Sequence, residues 1–197
     1  ALAGRLDGSQ AARPALVAQP RPAELPLSFA QLRLWFLNQL EGPSATYTIP
    51  IALRLEGSVD AAALEAALGD LVARHESLRT VYPETLGVPR QEILSAAAGR
   101  PELSVVEVSE AELSGALTAA AGRGFDVSVE PPLRAQLYAL SASEHVLLLS
   151  LHHIAGDGWS LGPLLRDLSE FYRARCAGVE ATLPALFEAQ VERDPQA

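Results

Sequence analysis

The 197-residue chain is 49% hydrophobic and 20% charged and carries a formal net charge of −9, a composition typical of a globular domain with a sizeable core. The acidic balance, without a run of basic residues, excludes an extended nucleic-acid-binding surface. The single cysteine, Cys176, excludes an internal disulfide and a multi-cysteine metal site, and no apolar run approaches the ~20 residues that a membrane span requires. Because no signal peptide is present, we expect a cytoplasmic protein.

The first 26 residues are expected to lie outside the folded core. Residues 1–7 are compatible with the last turn of a helix, and the next stretch contains four prolines, which favour an extended linker. The globular part is predicted to begin near Leu27. Ser28 is a suitable N-cap for a helix over 29–40, which Gly42-Pro43 would end.

Strands and helices alternate through the middle of the chain. The predicted order is strand 48–55, helix 61–74 capped by Asp60, short strands 78–82 and 91–94, strand 103–108, and a helix from a Ser109 cap to about residue 121. Two apolar runs follow, 133–140 and 145–152, joined by a polar turn, and they predict a hairpin whose second strand is buried on both faces. A last helix is predicted over 159–175, before Gly178. The pattern predicts an α/β fold with helices packed on a mixed sheet.

The candidate catalytic residues lie together at the end of the second hairpin strand. His152 and His153 stand at its end and should face opposite ways, because neighbouring side chains of a strand alternate between faces. Neutral imidazole is suited to accept or steer a proton near neutral pH. The segment Gly156-Asp157-Gly158 and the start of a helix follow, and the amides of a helix start could meet developing negative charge.

Simpler interpretations of these residues remain open on chemistry alone. A histidine at a strand end is often only a structural hydrogen-bonding group, and Asp157 is equally explained as a helix N-cap. A His-His-Asp metal site lacks further ligands nearby in the sequence, so we expect no bound metal.

Three segments resemble the core motifs of the condensation domains of nonribosomal peptide synthetases. The segment 152–160, His-His-Ile-Ala-Gly-Asp-Gly-Trp-Ser, resembles the third motif; 27–35, Leu-Ser-Phe-Ala-Gln-Leu-Arg-Leu-Trp, the first; and 74–82, Arg-His-Glu-Ser-Leu-Arg-Thr-Val-Tyr, the second. Residues 39–47 are similar to the subtype that joins an L-configured donor to an L-configured acceptor. The departures include Thr48, where the family usually has asparagine, and Tyr82, where it usually has phenylalanine.

The resemblance implies a single lobe of chloramphenicol-acetyltransferase-like fold and formation of an amide between substrates carried as thioesters on the phosphopantetheine of carrier domains, with no cofactor bound directly. It implies that His153 orients or deprotonates the acceptor amine, that His152 and Asp157 are mainly structural, and that Gly158 contributes backbone to the substrate-facing loop. Asp157 is expected to pair with an arginine of the second motif. We favour Arg79, which opens an apolar strand, over Arg74.

The resemblance also implies that a second lobe is missing, because a complete condensation domain is roughly twice as long. We expect a carrier-domain tail and linker over 1–26, the amino-terminal lobe over 27–178, and a linker with the start of an adenylation domain over 179–197; a plain amphipathic helix is the alternative for that tail. Three roles follow: a half-site completed from elsewhere, a vestigial structural or docking module, or an acyltransferase completed by a second copy. Carrier domains and an adenylation domain of the same polypeptide are the expected partners, without nucleic acid or membrane.

Overall fold

A mixed four-stranded sheet carries the histidine motif in this computed structural model, which describes residues 24–184 together with residues 22 and 186. The strands are β2 (Thr48–Glu56), β6 (Leu103–Glu107), β7 (Leu133–Ser141) and β8 (Glu144–His152), in the spatial order β2-β8-β7-β6. β8 pairs antiparallel with both neighbours, and β6 pairs parallel with β7. The predicted hairpin is confirmed, and its second strand lies in the interior of the sheet, buried from His145 to His152.

Two helices cover one face of this sheet. They are α2 (Ala61–Arg74) and α4 (Gly158–Ala177), and alternate leucines of β8, including Leu147, Leu149 and Leu151, point toward them into the largest apolar cluster. The start of α2 is fixed by Asp60, whose carboxylate accepts a hydrogen bond from the Ala63 backbone N–H at 2.9 Å. Gly178 ends α4 in the left-handed conformation that glycine adopts without steric cost.

The opposite face of the sheet is covered in two parts. Helix α3 (Glu110–Ala121) packs on Tyr138, Val146 and Leu148 at one end of the strands. Helix α1 (Phe29–Glu41) lies near the other end, where its Trp35 joins a cluster with Tyr82, Phe125, Val127 and Ile154. Ser28 caps α1 as predicted, since its hydroxyl accepts from the Gln31 backbone N–H at 3.2 Å. Four apolar residues of α1 lie outward and are exposed: Phe29, Leu32, Phe36 and Leu40.

The second-motif region differs in part from the prediction. A single turn of 3-10 helix, Glu76–Arg79, precedes strand β3 (Thr80–Val81), so only part of the strand predicted over 78–82 forms. The reason is local, because the Thr80 hydroxyl donates to the Glu76 carbonyl at 2.8 Å and keeps the turn closed. With β1 (Leu25–Pro26), β4 (Glu84–Thr85) and β5 (Val88–Ile93), β3 forms a small antiparallel sheet.

The chain termini bear on the predicted boundaries. Residues 24–183 form one compact unit, which contains the whole segment predicted as a single lobe. The expectations for a carrier-domain tail before residue 22 and for an adenylation start beyond residue 186 lie outside the described residues. Within the described part, no helix is both long and apolar enough to cross a membrane.

Candidate functional site

His152 is a buried structural residue at the end of β8. Its backbone N–H donates to the Pro132 carbonyl at 2.9 Å, and its imidazole Nδ1 accepts the Ile154 backbone N–H at 3.1 Å. The ring meets Phe125 edge-on, with centroids 5.9 Å apart, and is 0% exposed. These contacts close the turn that follows the strand, so His152 shapes the motif loop from within.

The electrostatics of His152 fit this structural role. Burial lowers its pKa to about 4, with a smaller contribution from the positive charge of His153 when that ring is protonated. The ring is therefore neutral near pH 7. Because Nδ1 accepts a hydrogen bond, the single ring proton is on Nε2. No basic nitrogen of His152 is left to take a proton from a substrate.

His153 has the opposite environment. Its backbone N–H donates to the Tyr47 carbonyl at 2.8 Å, which anchors it to the residue just before β2. Its side chain is exposed, and among the described residues its imidazole makes no hydrogen bond. The alternation predicted for the two histidines is confirmed, and His153 is the one whose ring is open to an incoming molecule.

Asp157 is the N-cap of α4. One carboxylate oxygen, Oδ1, accepts from the backbone N–H groups of Trp159 at 3.0 Å and Ser160 at 3.1 Å, and from the Ser160 hydroxyl at 2.9 Å. The Ser160 hydroxyl first, and then the amides, hold the pKa of Asp157 below its ordinary value. Because the carboxylate uses these two amides, they are not free to stabilise negative charge on a substrate. Gly158 begins the helix with open space where a Cβ would stand.

The expected pairing of Asp157 with Arg79 is wrong. Arg79 donates through Nε to the Val72 carbonyl at 2.9 Å and through Nη1 to the Leu94 carbonyl, which ties the second motif to its own surroundings. The short carboxylate of Asp157 is satisfied by the helix start beside it, which needs no long-range partner. The alternative left open by the sequence, an N-cap, is confirmed.

Arg74, the second candidate, binds another carboxylate of α4. Its Nε donates to Asp167 Oδ2 at 2.9 Å, and His75 Nε2 lies 2.9 Å from the same oxygen. Asp167 is 1% exposed; burial alone would raise its pKa, but hydrogen bonds from His75, Arg74 and Arg166 outweigh burial and lower it. Asp167 was not predicted as a site residue from the sequence. Its signal was a carboxylate on the apolar face of the helix, between Leu164 and Leu168.

Arg134 is a second residue that the sequence analysis missed. Its guanidinium lies over the Phe125 ring, 3.9 Å from the centroid, and donates to the Gly124 carbonyl at 2.7 Å. Phe125 in turn packs on His152, so Arg134 supports the motif through one intermediate ring. The signal in the sequence was the one charged residue of a largely apolar strand.

The potential metal-ligating side chains of the described residues do not form a metal centre. Across residues 24–184, no group of three or more His, Cys, Asp or Glu side chains is arranged to hold a metal ion. The arrangement offers instead one exposed imidazole on a rigid backbone, beside a capped helix start.

Comparisons with known proteins agree with the motif resemblance. The family model for the condensation domain matches residues 22–188. A dimodular nonribosomal peptide synthase of Bacillus subtilis (strain 168) is 56% identical over 177 residues, which are 90% of this chain but 7% of that protein. The chain therefore spans a small part of the curated relatives it matches.

Solved structures show the same fold. The X-domain from teicoplanin biosynthesis is 37% identical and superposes with a TM-score of 0.81, covering 93% of this chain and 42% of that one. The starter condensation domain of rhizomide synthetase RzmA is 22% identical, has a TM-score of 0.75 and shows the fold alone, covering 89% of this chain and 44% of that one. The fold is therefore the chloramphenicol-acetyltransferase-like lobe that the motifs implied, and the chain belongs to the condensation-domain family of nonribosomal peptide synthetases.

Proposed function

We propose that this chain supplies the amino-terminal half of a condensation site, which forms an amide between two substrates carried as thioesters. The observation that carries the proposal is the contrast between the two histidines. His152 is buried, neutral and fully committed to the fold, whereas His153 presents a free imidazole from a backbone anchored by Tyr47. These two environments suit His152 to a structural role and His153 to a reacting one.

In the proposed reaction the acceptor amine attacks the donor thioester carbonyl. A C–N bond forms, the C–S bond breaks, and the amine proton passes by way of His153 to the departing thiolate. General-base assistance of this kind contributes typically about 10²–10⁴-fold, and holding both substrates in line contributes more. Asp157 and His152 would keep the loop in shape, and the open space at Gly158 would leave room for a substrate arm.

The substrates would arrive on the phosphopantetheine arms of carrier domains, with no cofactor bound by this chain itself. An adenylation domain of the same polypeptide would supply the activated amino acid. The support is that the relatives are multidomain peptide synthetases, one of them described as dimodular. We propose both kinds of domain as partners.

The chain alone should be inactive. The family resemblance implies that a second lobe encloses the face on which His153 lies, and this chain covers only 42% and 44% of the two solved chains compared above. Without enclosure, two thioester arms are not held in line and water is not excluded.

A second candidate is a vestigial structural or docking module. The observation in its favour is that no described residue fixes the His153 imidazole, whereas a catalytic base is usually oriented by a third group. The two candidates agree on the fold and differ on whether His153 takes part in turnover.

The deciding experiment replaces His153 by alanine in the complete parent synthetase and measures peptide product by mass spectrometry. Carrier loading and expression are measured in parallel. His145→Asn is the matched control, because it removes an imidazole from the far end of the same strand. A loss of product in His153→Ala of about 100-fold or more, as expected for removal of a general base, supports the condensation site. An undiminished amount of product in His153→Ala would favour the second candidate, a structural or docking module.

A further inference from the structure

Two polar atoms at the motif are buried without a hydrogen-bond partner among the described residues. They are Thr48 Oγ1 and His152 Nε2. Buried polar groups are nearly always satisfied, so each such atom calls for an explanation. Neither is used by the proposed reaction.

The strand register makes these two atoms neighbours. Thr48 on β2 is directly opposite His152 on β8. The His153 N–H donates to the Tyr47 carbonyl, so the backbone hydrogen bond flanks the pair and Thr48 and His152 form a non-hydrogen-bonded pair. Side chains of such a pair project from the same face with Cβ atoms about 4.5–5.5 Å apart.

The two atoms are also chemically complementary. Nδ1 of His152 accepts the Ile154 N–H, so Nε2 carries the ring proton and requires an acceptor. The Thr48 hydroxyl both accepts and donates, but it makes no hydrogen bond with Nε2. The rings of Tyr47 and Phe125, which flank His152 with centroids 6.5 and 5.9 Å away, limit the movement by which the two side chains would meet.

We propose that one buried water molecule bridges His152 Nε2 and Thr48 Oγ1. The water accepts the Nε2 proton in a hydrogen bond and donates to the threonine oxygen, which satisfies both atoms. The bridge matches the tautomer set by the Ile154 hydrogen bond and holds the plane of the His152 ring. Thr48 is therefore a positioning residue for the turn from which His153 projects.

The test begins with the unmodified chain. A high-resolution crystal structure should show one water within about 2.7–3.2 Å of both atoms. Imidazole ¹⁵N chemical shifts should show His152 protonated at Nε2 and unprotonated at Nδ1. A direct Thr48–His152 hydrogen bond, a dry gap, or the opposite tautomer overturns the proposal.

Three substitutions at residue 48 separate the bridge from simple packing. Thr48→Val keeps the shape but removes the hydroxyl, so the water should be lost and the melting temperature should fall. Thr48→Ser keeps the hydroxyl and should retain the water. Thr48→Asn adds reach and an acceptor, so its amide oxygen should bind Nε2 directly and displace the water without loss of melting temperature. Retention of the water in Thr48→Val, or its loss in Thr48→Ser, contradicts the bridge; neither outcome depends on peptide synthesis.

Discussion

At the scale of single residues, the site depends on how differently two adjacent histidines are placed. His152 is held neutral by burial, with a pKa of about 4 against an ordinary 6.5. Protonation would charge a buried ring and remove the acceptor that Ile154 uses. Acidification should therefore destabilise the lobe through this residue at pH values where the carboxylates are still largely ionised.

We expect the free energy of unfolding to fall as the pH is lowered from 6.5 toward 4. Between these values the unfolded chain binds the proton and the folded chain does not, so the stabilisation present above pH 6.5 is progressively lost. The loss is on the order of 2–3 kcal/mol. Urea denaturation across this range measures it, and His152→Asn should remove most of the slope; an equal slope in the variant would contradict the assignment.

A second prediction at this scale follows from the role of Asp157 as the N-cap of α4. Asp157→Ala should destabilise the lobe by about 1 kcal/mol, whereas Asp157→Ser, which keeps a capping oxygen, should be nearly neutral. The double variant with Arg79→Ala should be additive within about 0.5 kcal/mol, since the two side chains bind different groups. A larger coupling energy between Asp157 and Arg79 in chemical denaturation would show that the two side chains interact after all.

At the scale of elements, two ion pairs join α2 to α4 and differ in burial. Arg74 binds Asp167, which is 1% exposed, and Arg175 binds Asp70, whose side chain is 27% exposed, at 2.6 Å. The first pair lies where the second motif meets the helix that follows the histidine motif.

Removal of the buried carboxylate should be more damaging than removal of the partly exposed Asp70 carboxylate. Asp167→Asn removes a buried charge that binds Arg74 and should cost about 3 kcal/mol. Asp70→Asn, the matched control between the same helices, should cost less than about 1 kcal/mol. Thermal denaturation compares them, and similar losses for the two variants would show that burial does not govern this contact.

Elements set by local signals were predicted well from the sequence. The bounds of α2 agree fully, since Asp60 and the apolar spacing of the helix fix them. The 3-10 turn at Glu76–Arg79 was missed because its closure depends on one side-chain hydrogen bond. The partners of Asp157 and Asp167 could not be chosen from the sequence. A nearby helix start and a distant arginine can each bind a carboxylate, and only the tertiary arrangement selects between them.

At the scale of the whole molecule, the outward side of α1 is unusually apolar. Phe29, Leu32, Phe36 and Leu40 follow helical spacing along it, and Phe29 is 95% exposed. The side of α1 that faces the protein carries Trp35 and Asn38 instead. A contiguous apolar stripe of this kind favours association over exposure to water.

We expect the purified chain to self-associate with increasing concentration. Replacing Phe29 and Phe36 together by serine should restore a monomer, because it removes both exposed aromatic rings from the stripe. Val129→Ser, an exposed apolar residue away from α1, is the control and should change nothing. Sedimentation velocity over a concentration series measures this; a monomer at every concentration would contradict it.

The pairing of β2 with β8 has a consequence for the order in which the lobe folds. β7 and β8 are joined by a two-residue turn, so this hairpin can form on a timescale of about 1–10 μs. The contact of Tyr47 with His153, by contrast, closes a loop of more than a hundred residues, and its entropic cost delays it. A hairpin formed before β2 pairs with it would therefore display His153 without its Tyr47 anchor, and the site would acquire its geometry only when β2 is added.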